Sequence, residues 1–368
     1  MKENPLLQLA TFGQSIWLDY IRRRMIDSGE LQKLIDDDGL KGVTSNPAIF
    51  EKAIAGSTDY DEAIRSLAQA GKSIQEIYQV LTVEDVQRAA DLFRPLYDRV
   101  KGKDGFISLE VNPHLAHDTP GTIAEARRLW QALGRPNVLI KVPATKEGLP
   151  AIRQLISEGL NVNVTLLFGL PRYREVAEAY IGGLEARLAQ DRPLNPVASV
   201  ASFFLSRIDV LLDPKLETMA AKDLIGQVAI ASAKVAFTIY QEIFGSARFK
   251  ALAQQGARPQ RLLWASTSTK NPAYRDVKYV EPLIGPNTVN TLPVETLEAY
   301  RDHGNPAARL TEDLDRAAAC LQRLPEVGID LNQATQQLED EGVEKFNQPF
   351  DSLMSTLEGK RREAMSHE

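Results

Sequence analysis

The feature that most constrains the fold is an alternation of period along the chain. Short apolar runs of strand length are separated by longer segments of helical period. The runs read as strands are Ser15–Asp19, Gly42–Ser45, Phe106–Val111, Val138–Val142, Asn163–Phe168, Val197–Phe203, Leu262–Ser266 and Tyr279–Ile284. Several are apolar on both faces, as in Val138-Leu139-Ile140 and Val164-Thr165-Leu166-Leu167-Phe168. A strand with one wet face alternates polar and apolar residues. A continuous run implies cover on both faces, the mark of a parallel sheet wrapped by helices. Flanking Pro, Gly and Asn argue against short buried helices.

Between the strands the period changes to that of a helix. Thr122–Leu133 places Ile123, Ala126, Leu129, Trp130 and Leu133 on one face, and Leu149–Ile156 follows the same logic. Pro171–Leu188 and Asp223–Phe244 are longer versions. Eight strands with helices between them predict an α/β fold, a (β/α)8 TIM barrel with additional helices; a doubly wound open sheet is the rival. No Gly-x-Gly-x-x-Gly follows an early strand, which weakens the dinucleotide-binding form of that rival.

Two intervals, Asn46 to Phe106 and Phe203 to Leu262, are longer than one βα unit needs and predict extra helices, among them Ile74–Tyr97. The region after His303 reads as helices packed on the barrel, with Gly359–Glu368 expected to fray. Without repeats or a low-complexity linker, residues 1–368 read as one barrel domain. Its extra helices fall at the N-terminus, in the two long connections and at the C-terminus.

Formal net charge is −6, so no global field draws the chain to nucleic acid or to an anionic membrane. An anionic ligand must be held by a local cluster of cations. No stretch reaches the roughly 20 apolar residues of a membrane span, and the N-terminus lacks the apolar core of a signal peptide. With Cys320 the one cysteine, no intramolecular disulfide can form. Cytoplasmic localisation is the expectation. Cys320 itself reads as a small apolar residue in a helical pattern rather than a reactive thiol.

Polar residues concentrate where the strands end. Asp19 ends the first, Asn46 follows the second, Glu110 closes the third and Lys141 interrupts the fourth; Thr165 lies in the fifth, Ser202 in the sixth and Ser266 at the end of the seventh. In a closed parallel barrel those ends converge on one rim, where reactive groups meet. Lys141 stands inside Val138-Leu139-Ile140-Lys141-Val142. Burying an amine disfavours its charged form, and a free amine is what attack on a carbonyl requires. A lysine with a buried stem and a head paired to a carboxylate fits the same position. Asp19 and Glu110 suit either reading, as ion-pair partners of Lys141 or as proton donors and acceptors. The Thr165 hydroxyl could hold a water between Lys141 and Glu110, or Thr165 could be a plain strand residue. Arg207 and Lys270, just past the sixth and seventh strands, are placed to grip a phosphate, or are a solvated surface pair. His114 and His117 lack a third ligand for zinc, and Asp36-Asp37-Asp38-Gly39 lacks calcium-loop spacing. The sequon at Asn163 falls in a strand, which disfavours glycosylation.

From about Ile16 to Pro293 the chain resembles the transaldolase family. The resemblance is carried by Val43-Thr44-Ser45-Asn46-Pro47, Ser108-Leu109-Glu110-Val111, Leu139-Ile140-Lys141-Val142-Pro143-Ala144-Thr145 and Asn163-Val164-Thr165-Leu166-Leu167-Phe168, in order and at barrel-like spacing. It implies a (β/α)8 barrel that moves a dihydroxyacetone unit from sedoheptulose 7-phosphate to glyceraldehyde 3-phosphate, giving erythrose 4-phosphate and fructose 6-phosphate. It implies that Lys141 forms a Schiff base. Glu110 would then shuttle protons through a water held by Thr165, and Asp19 would take the C4 hydroxyl proton. Asn46 and Ser202 would bind the dihydroxyacetone portion, with Phe204 in the same substrate-facing set. Arg207 and Ser266 match the family's phosphate contacts. No metal or organic cofactor is implied, and the partners are small sugar phosphates rather than nucleic acid or membrane. A monomer and a homodimer both remain open.

One position departs from the pattern. Many family members carry an arginine two residues after the serine of strand seven, and here that residue is Ser268. Lys270 is the nearest cation and is the expected replacement, keeping the charge without the bidentate fork. The rival activity is that of a fructose 6-phosphate aldolase, whose members resemble a shorter barrel with glutamine and tyrosine in place of Glu110 and Phe204. A catalytically silent binding barrel would be expected to lack Lys141, Glu110 or Asp19, and all three are present.

Overall fold

The computed structural model describes residues 4–219 and 221–366. Eight parallel strands close into a barrel in sequence order. They are β1 (Gln14–Leu18), β2 (Gly42–Val43), β3 (Phe106–Glu110), β4 (Val138–Pro143), β5 (Val162–Leu167), β6 (Ser199–Phe204), β7 (Arg261–Ala265) and β8 (Thr288–Leu292). Closure comes from β1 and β8, which pair from Gln14 opposite Thr288 to Leu18 opposite Leu292. Every strand residue except Arg261 is buried, as expected for strands covered by helices outside and by layered side chains inside. Gly42 in the short β2 is required: a Cβ there would lie 2.6 Å from the Trp17 ring.

α-Helices follow every strand but β7, with additions. α1 (Pro5–Leu9) precedes the barrel, while α2 (Arg23–Asp27) and α3 (Glu30–Asp38) join β1 to β2. The first long interval holds α4 (Pro47–Ala55), α5 (Asp61–Gln69) and α6 (Ile74–Arg99). α6 starts on a capping box, with the Ser73 hydroxyl on the Glu76 N–H and the Glu76 carboxylate on the Ser73 N–H. α7 (Thr119–Leu133), α8 (Gly148–Glu158) and α9 (Leu170–Leu188) serve the next three connections. The second long interval holds α10 (Ser206–Thr218), α11 (Val228–Phe244) and α12 (Ala247–Gln254); α13 (Val294–His303), α14 (Leu314–Gln322) and α15 (Leu331–Ser366) follow β8. Arg23 of α2 is tied to α6 through Asp85, which is fully buried. Its Oδ1 accepts from Arg23 Nε at 2.9 Å, and its Oδ2 from the Tyr60 hydroxyl at 2.8 Å.

Two expectations need correction. The eighth strand is not Tyr279–Ile284 but Thr288–Leu292. The apolar run 279–284 forms turns and a short 3-10 helix, with the Leu283 carbonyl accepting from Gln14 Nε2 and Trp264 Nε1. Its hydrophobicity reflects burial of Tyr279, Val280, Leu283 and Ile284 rather than membership of the sheet. Nor does Gly359 begin a frayed end, because α15 runs on to Ser366. Lys360 pairs with Asp61, and Arg361 Nε donates to the Lys72 carbonyl at 3.0 Å. His367 and Glu368 lie outside the described residues.

α15 positions part of the site. Ala334, Leu338, Val343, Phe346, Phe350, Leu353 and Leu357 recur at steps of three to five residues and are buried, giving the helix one long apolar stripe. It packs on α10 and β5 on one side of the barrel and on α4, α5 and α6 on the other. It therefore crosses the mouth. Arg172 to Glu339 at 3.2 Å and His114 to Asp351 at 2.7 Å pin it to the connecting segments.

Candidate active site

At the carboxyl end of the barrel lies a cavity of about 800 Å3. Asp19, Asn46, Lys141, Thr165, Ser202, Phe204, Arg207, Ser266 and Lys270 all line it. Glu110 reaches it through Lys141. Every residue expected in the site is brought together by the closure of the barrel.

Register explains the centre. Glu110 of β3 lies opposite Lys141 of β4, and Lys141 opposite Asn163 of β5. Lys141 is 4% exposed and Glu110 7%. Lys141 Nζ donates to the Ser45 carbonyl at 2.9 Å and stands 3.4 Å from Glu110 Oε2. That second contact is long for a hydrogen bond, and Oε2 has no hydrogen-bond partner among the described residues. Burial pushes the Glu110 carboxyl up to about 7, against the opposing attraction of Lys141. A group titrating near neutrality can both give and take a proton under ordinary conditions. The Thr165 hydroxyl is also buried, with no hydrogen-bond partner among the described residues. It lies where the register of β5 against β6 slips between Val164 and Leu167, and Leu166 has a left-handed φ of 54°. Bulges of this kind re-aim side chains beside active sites.

Asp19 follows β1 and is half-buried. Its Oδ1 accepts from the Thr44 hydroxyl at 2.6 Å. Burial raises its carboxyl above the ordinary range, with Lys141, the Thr44 hydrogen bond and Lys270 opposing and Glu295 adding to the rise. Asn46 caps α4, its Oδ1 accepting from the Ile49 N–H at 3.0 Å, which leaves the amide NH2 for the cavity. Ser202 donates to Asn163 Oδ1 at 2.6 Å, and Asn163 Nδ2 to Ser108 Oγ at 3.0 Å. The Ser202 proton is thus committed inside the barrel, and toward the cavity its oxygen acts as an acceptor.

The far end is cationic. Arg207, in the first turn of α10, sits 5.6 Å from the Phe204 ring, and its Nη1 has no hydrogen-bond partner among the described residues. Burial lowers its guanidinium from the ordinary value, opposed by Asp19 and Glu341. The Ser266 hydroxyl lies 2.8 Å from that of Ser206, on a backbone with φ 54°. Lys270 Nζ donates to Ser268 Oγ. Desolvation lowers Lys270; Glu295 and Asp19 oppose this, and Arg207 and Lys52 reinforce it.

The profile of the family described as Transaldolase/Fructose-6-phosphate aldolase matches residues 16–357. The chain belongs to this family. It is 51% identical over 373 residues to a transaldolase of Trichodesmium erythraeum, with 98% of both chains covered. It is 49% identical to transaldolase 2 of a Nostoc species, again over 98% of both, and 48% identical to a transaldolase of Saccharopolyspora erythraea over 95% of both. The family match reaches well past Pro293, into α15.

Three parts of the cavity carry no clear sign in the sequence. Phe346 of α15 lines it, with its ring centroid 5.9 Å from Lys141 Nζ. Nothing in the sequence around Phe346 separates it from the other apolar residues of the stripe. Thr44 and Thr291 also line the cavity; Thr44 falls inside the motif Val43–Pro47, where its hydroxyl is the available signal. The histidines are taken up elsewhere, His114 by Asp351 and His117 by Glu147, and Asp38 by Arg301. The Cys320 thiol, half-buried on α14, is raised by burial.

Proposed function

We propose that Lys141 forms a Schiff base with C2 of a ketose phosphate and that the chain passes the resulting three-carbon dihydroxyacetone unit to an aldose phosphate. Transaldolase activity follows from likeness at about half identity to transaldolases over nearly the whole chain. The observation that carries the residue assignment is Lys141, buried 3.4 Å from Glu110 and opening into the cavity that Asp19 shares.

Lys141 Nζ attacks C2 to give a carbinolamine, which loses water to give an iminium. Glu110, titrating near 7, moves protons during these steps and the final hydrolysis through a water held by Thr165. The iminium withdraws electrons from the C3–C4 bond. Asp19 accepts the C4 hydroxyl proton as that bond breaks, the departing fragment leaves as an aldehyde, and the electron pair remains as an enamine on Lys141. The enamine then attacks the acceptor aldehyde, and Asp19 returns its proton to the new alkoxide. Asn46 donates to the dihydroxyacetone oxygens and Ser202 accepts from them. Phe204 supplies an apolar wall beside Arg207.

Arg207, Ser266 and Lys270 hold the phosphate. The hydrogen bond from Lys270 to Ser268 brings the lysine charge back to the position where many relatives carry arginine, which supports Lys270 as its replacement. Sedoheptulose 7-phosphate and fructose 6-phosphate are the donors, with glyceraldehyde 3-phosphate and erythrose 4-phosphate as acceptors. The cytoplasm, where the single cysteine stays reduced, is the compartment this reading favours.

Borohydride reduction with fructose 6-phosphate, followed by peptide mass mapping, tests the assignment. The expected adduct is dihydroxyacetone on Lys141; an adduct elsewhere, or none, overturns it. Measuring fructose 6-phosphate turnover with and without erythrose 4-phosphate separates transfer from cleavage. Glu110 and Phe204, where aldolase-type members resemble one another in carrying glutamine and tyrosine, favour transfer.

A further inference from the structure

We propose that Thr44 and Thr291 form a directed hydroxyl relay that holds Asp19 in its proton-accepting orientation, making both threonines positioning residues for carbon–carbon bond cleavage. The proposal rests on Asp19 being the base in that step.

β1 lies between β2 and β8, so Asp19 is flanked by the residues leaving one neighbour and ending the other. Thr44 follows β2 directly, and Thr291 is the penultimate residue of β8, beside Trp17 of β1. Both are almost fully buried, at 2% and 3% exposure. The Thr44 hydroxyl lies 2.6 Å from Asp19 Oδ1 and 2.7 Å from the Thr291 hydroxyl.

Proton counting fixes the direction. An ionised carboxylate only accepts, and a hydroxyl has one proton. Thr44 must therefore donate to Asp19, and Thr291 must donate to Thr44. The chain runs Thr291 to Thr44 to Asp19 Oδ1. Among the described residues no protein donor meets Oδ2, so that oxygen is left for the cavity that Asp19 lines. When the C4 hydroxyl gives up its proton, Oδ2 receives it. Oδ1 then remains an acceptor for Thr44, and no hydroxyl has to turn. The backbone secures the same arrangement: Asp19 N–H donates to the Leu292 carbonyl, Thr44 N–H to the Leu18 carbonyl, and the Thr267 hydroxyl to the Thr291 carbonyl.

Other charges facing Asp19 come from several elements. Lys141 on β4 and Lys270 past β7 favour its ionised form, as does Arg207 on α10, while Glu110 on β3 and Glu295 on α13 oppose it. None of these fixes which oxygen points at the substrate. Among the described residues, the Thr44 hydrogen bond alone does so.

The test uses the full chain with Thr44→Val, Thr44→Ser and Thr291→Val. In Thr44→Val, the Lys141 adduct with fructose 6-phosphate still forms under borohydride. Transfer to erythrose 4-phosphate slows on the order of a hundredfold, the scale set by a misplaced reacting group. This loss falls on kcat more than on KM. The acidic limb of the kcat/KM profile moves to higher pH, because a carboxylate that loses a donor holds its proton more tightly. Thr44→Ser restores both, and Thr291→Val gives a smaller change of the same kind. Wild-type transfer and an unmoved acidic limb in Thr44→Val overturn the relay, as does failure of serine to rescue. Should Thr44→Val not fold, Thr291→Val with an unchanged pH profile overturns it. Absence of a Lys141 adduct in the wild type would instead refute the Schiff-base assignment itself.

Discussion

Replacing Glu110 by glutamine isolates the cost of holding a carboxyl group inside the barrel. Burial raises its carboxyl from an ordinary 4.5 to about 7 in spite of Lys141 at 3.4 Å. Between those values the folded chain keeps a proton that the unfolded chain has released. Stability attributable to this group is therefore fully present below about pH 4.5 and is lost as pH rises through about 7. At roughly 1.4 kcal/mol for each tenfold change in proton affinity, the loss is about 3 kcal/mol. Glu110→Gln has no proton to lose at that site. Urea unfolding of both chains at constant ionic strength, from pH 5 to pH 8, should show the wild type losing about 2–3 kcal/mol relative to the variant. The difference should level off above about pH 8. A flat difference, or one in which the wild type gains with rising pH, would mean that Lys141 outweighs burial. The case for Glu110 as a neutral-pH proton shuttle would go with it.

The other predictions concern the two ends of the cavity and the frame behind it. Lys270→Ala should raise the KM for fructose 6-phosphate on the order of tenfold, by loss of one charge-assisted phosphate contact; an unchanged KM removes Lys270 from the phosphate site. Asp19→Asn should still be trapped at Lys141 by borohydride yet transfer at least about a hundredfold more slowly, and near-normal transfer would deny Asp19 its role as the base. Asp85→Ala strands Arg23, which is 9% exposed, beside a lost partner, and should lower unfolding free energy by about 3–5 kcal/mol. A drop below about 1 kcal/mol in urea titration would show that Glu84, 2.9 Å from Arg23, suffices as partner.

How much is legible depends on whether local sequence and final environment agree. The first seven strands are visible because each carries a run of apolar residues buried between the helices and the barrel interior, bounded by turn residues. β8 breaks that rule. Its Thr288, Asn290 and Thr291 turn polar groups toward the segment before the strand, at the Gly285 and Tyr279 carbonyls, and toward the Thr44 hydroxyl. Its more apolar neighbour, 279–284, imitates the strand in its place. Lys141, Glu110 and Asp19 stand out because a charge in or beside an apolar strand is expensive without a purpose. Phe346 does not, because an apolar residue on an apolar helix face carries no local sign of which neighbour it covers. Thr44 lies between these cases. Its type and position are plain, but its partner Thr291 is 247 residues away, and only barrel closure joins them.

The path of α15 has a consequence for the order in which the molecule becomes competent. A ribosome that has released Leu292 has made all eight strands, Lys141, Glu110 and Asp19, and the sheet can close. The chain is still missing Phe346, more than fifty residues later, and the helix that spans the mouth from α10 to α4. Chemistry and enclosure are thus made at different times. A barrel that stops short of α15 leaves Lys141 without Phe346 above it, and it is α15 that puts a roof over the cavity.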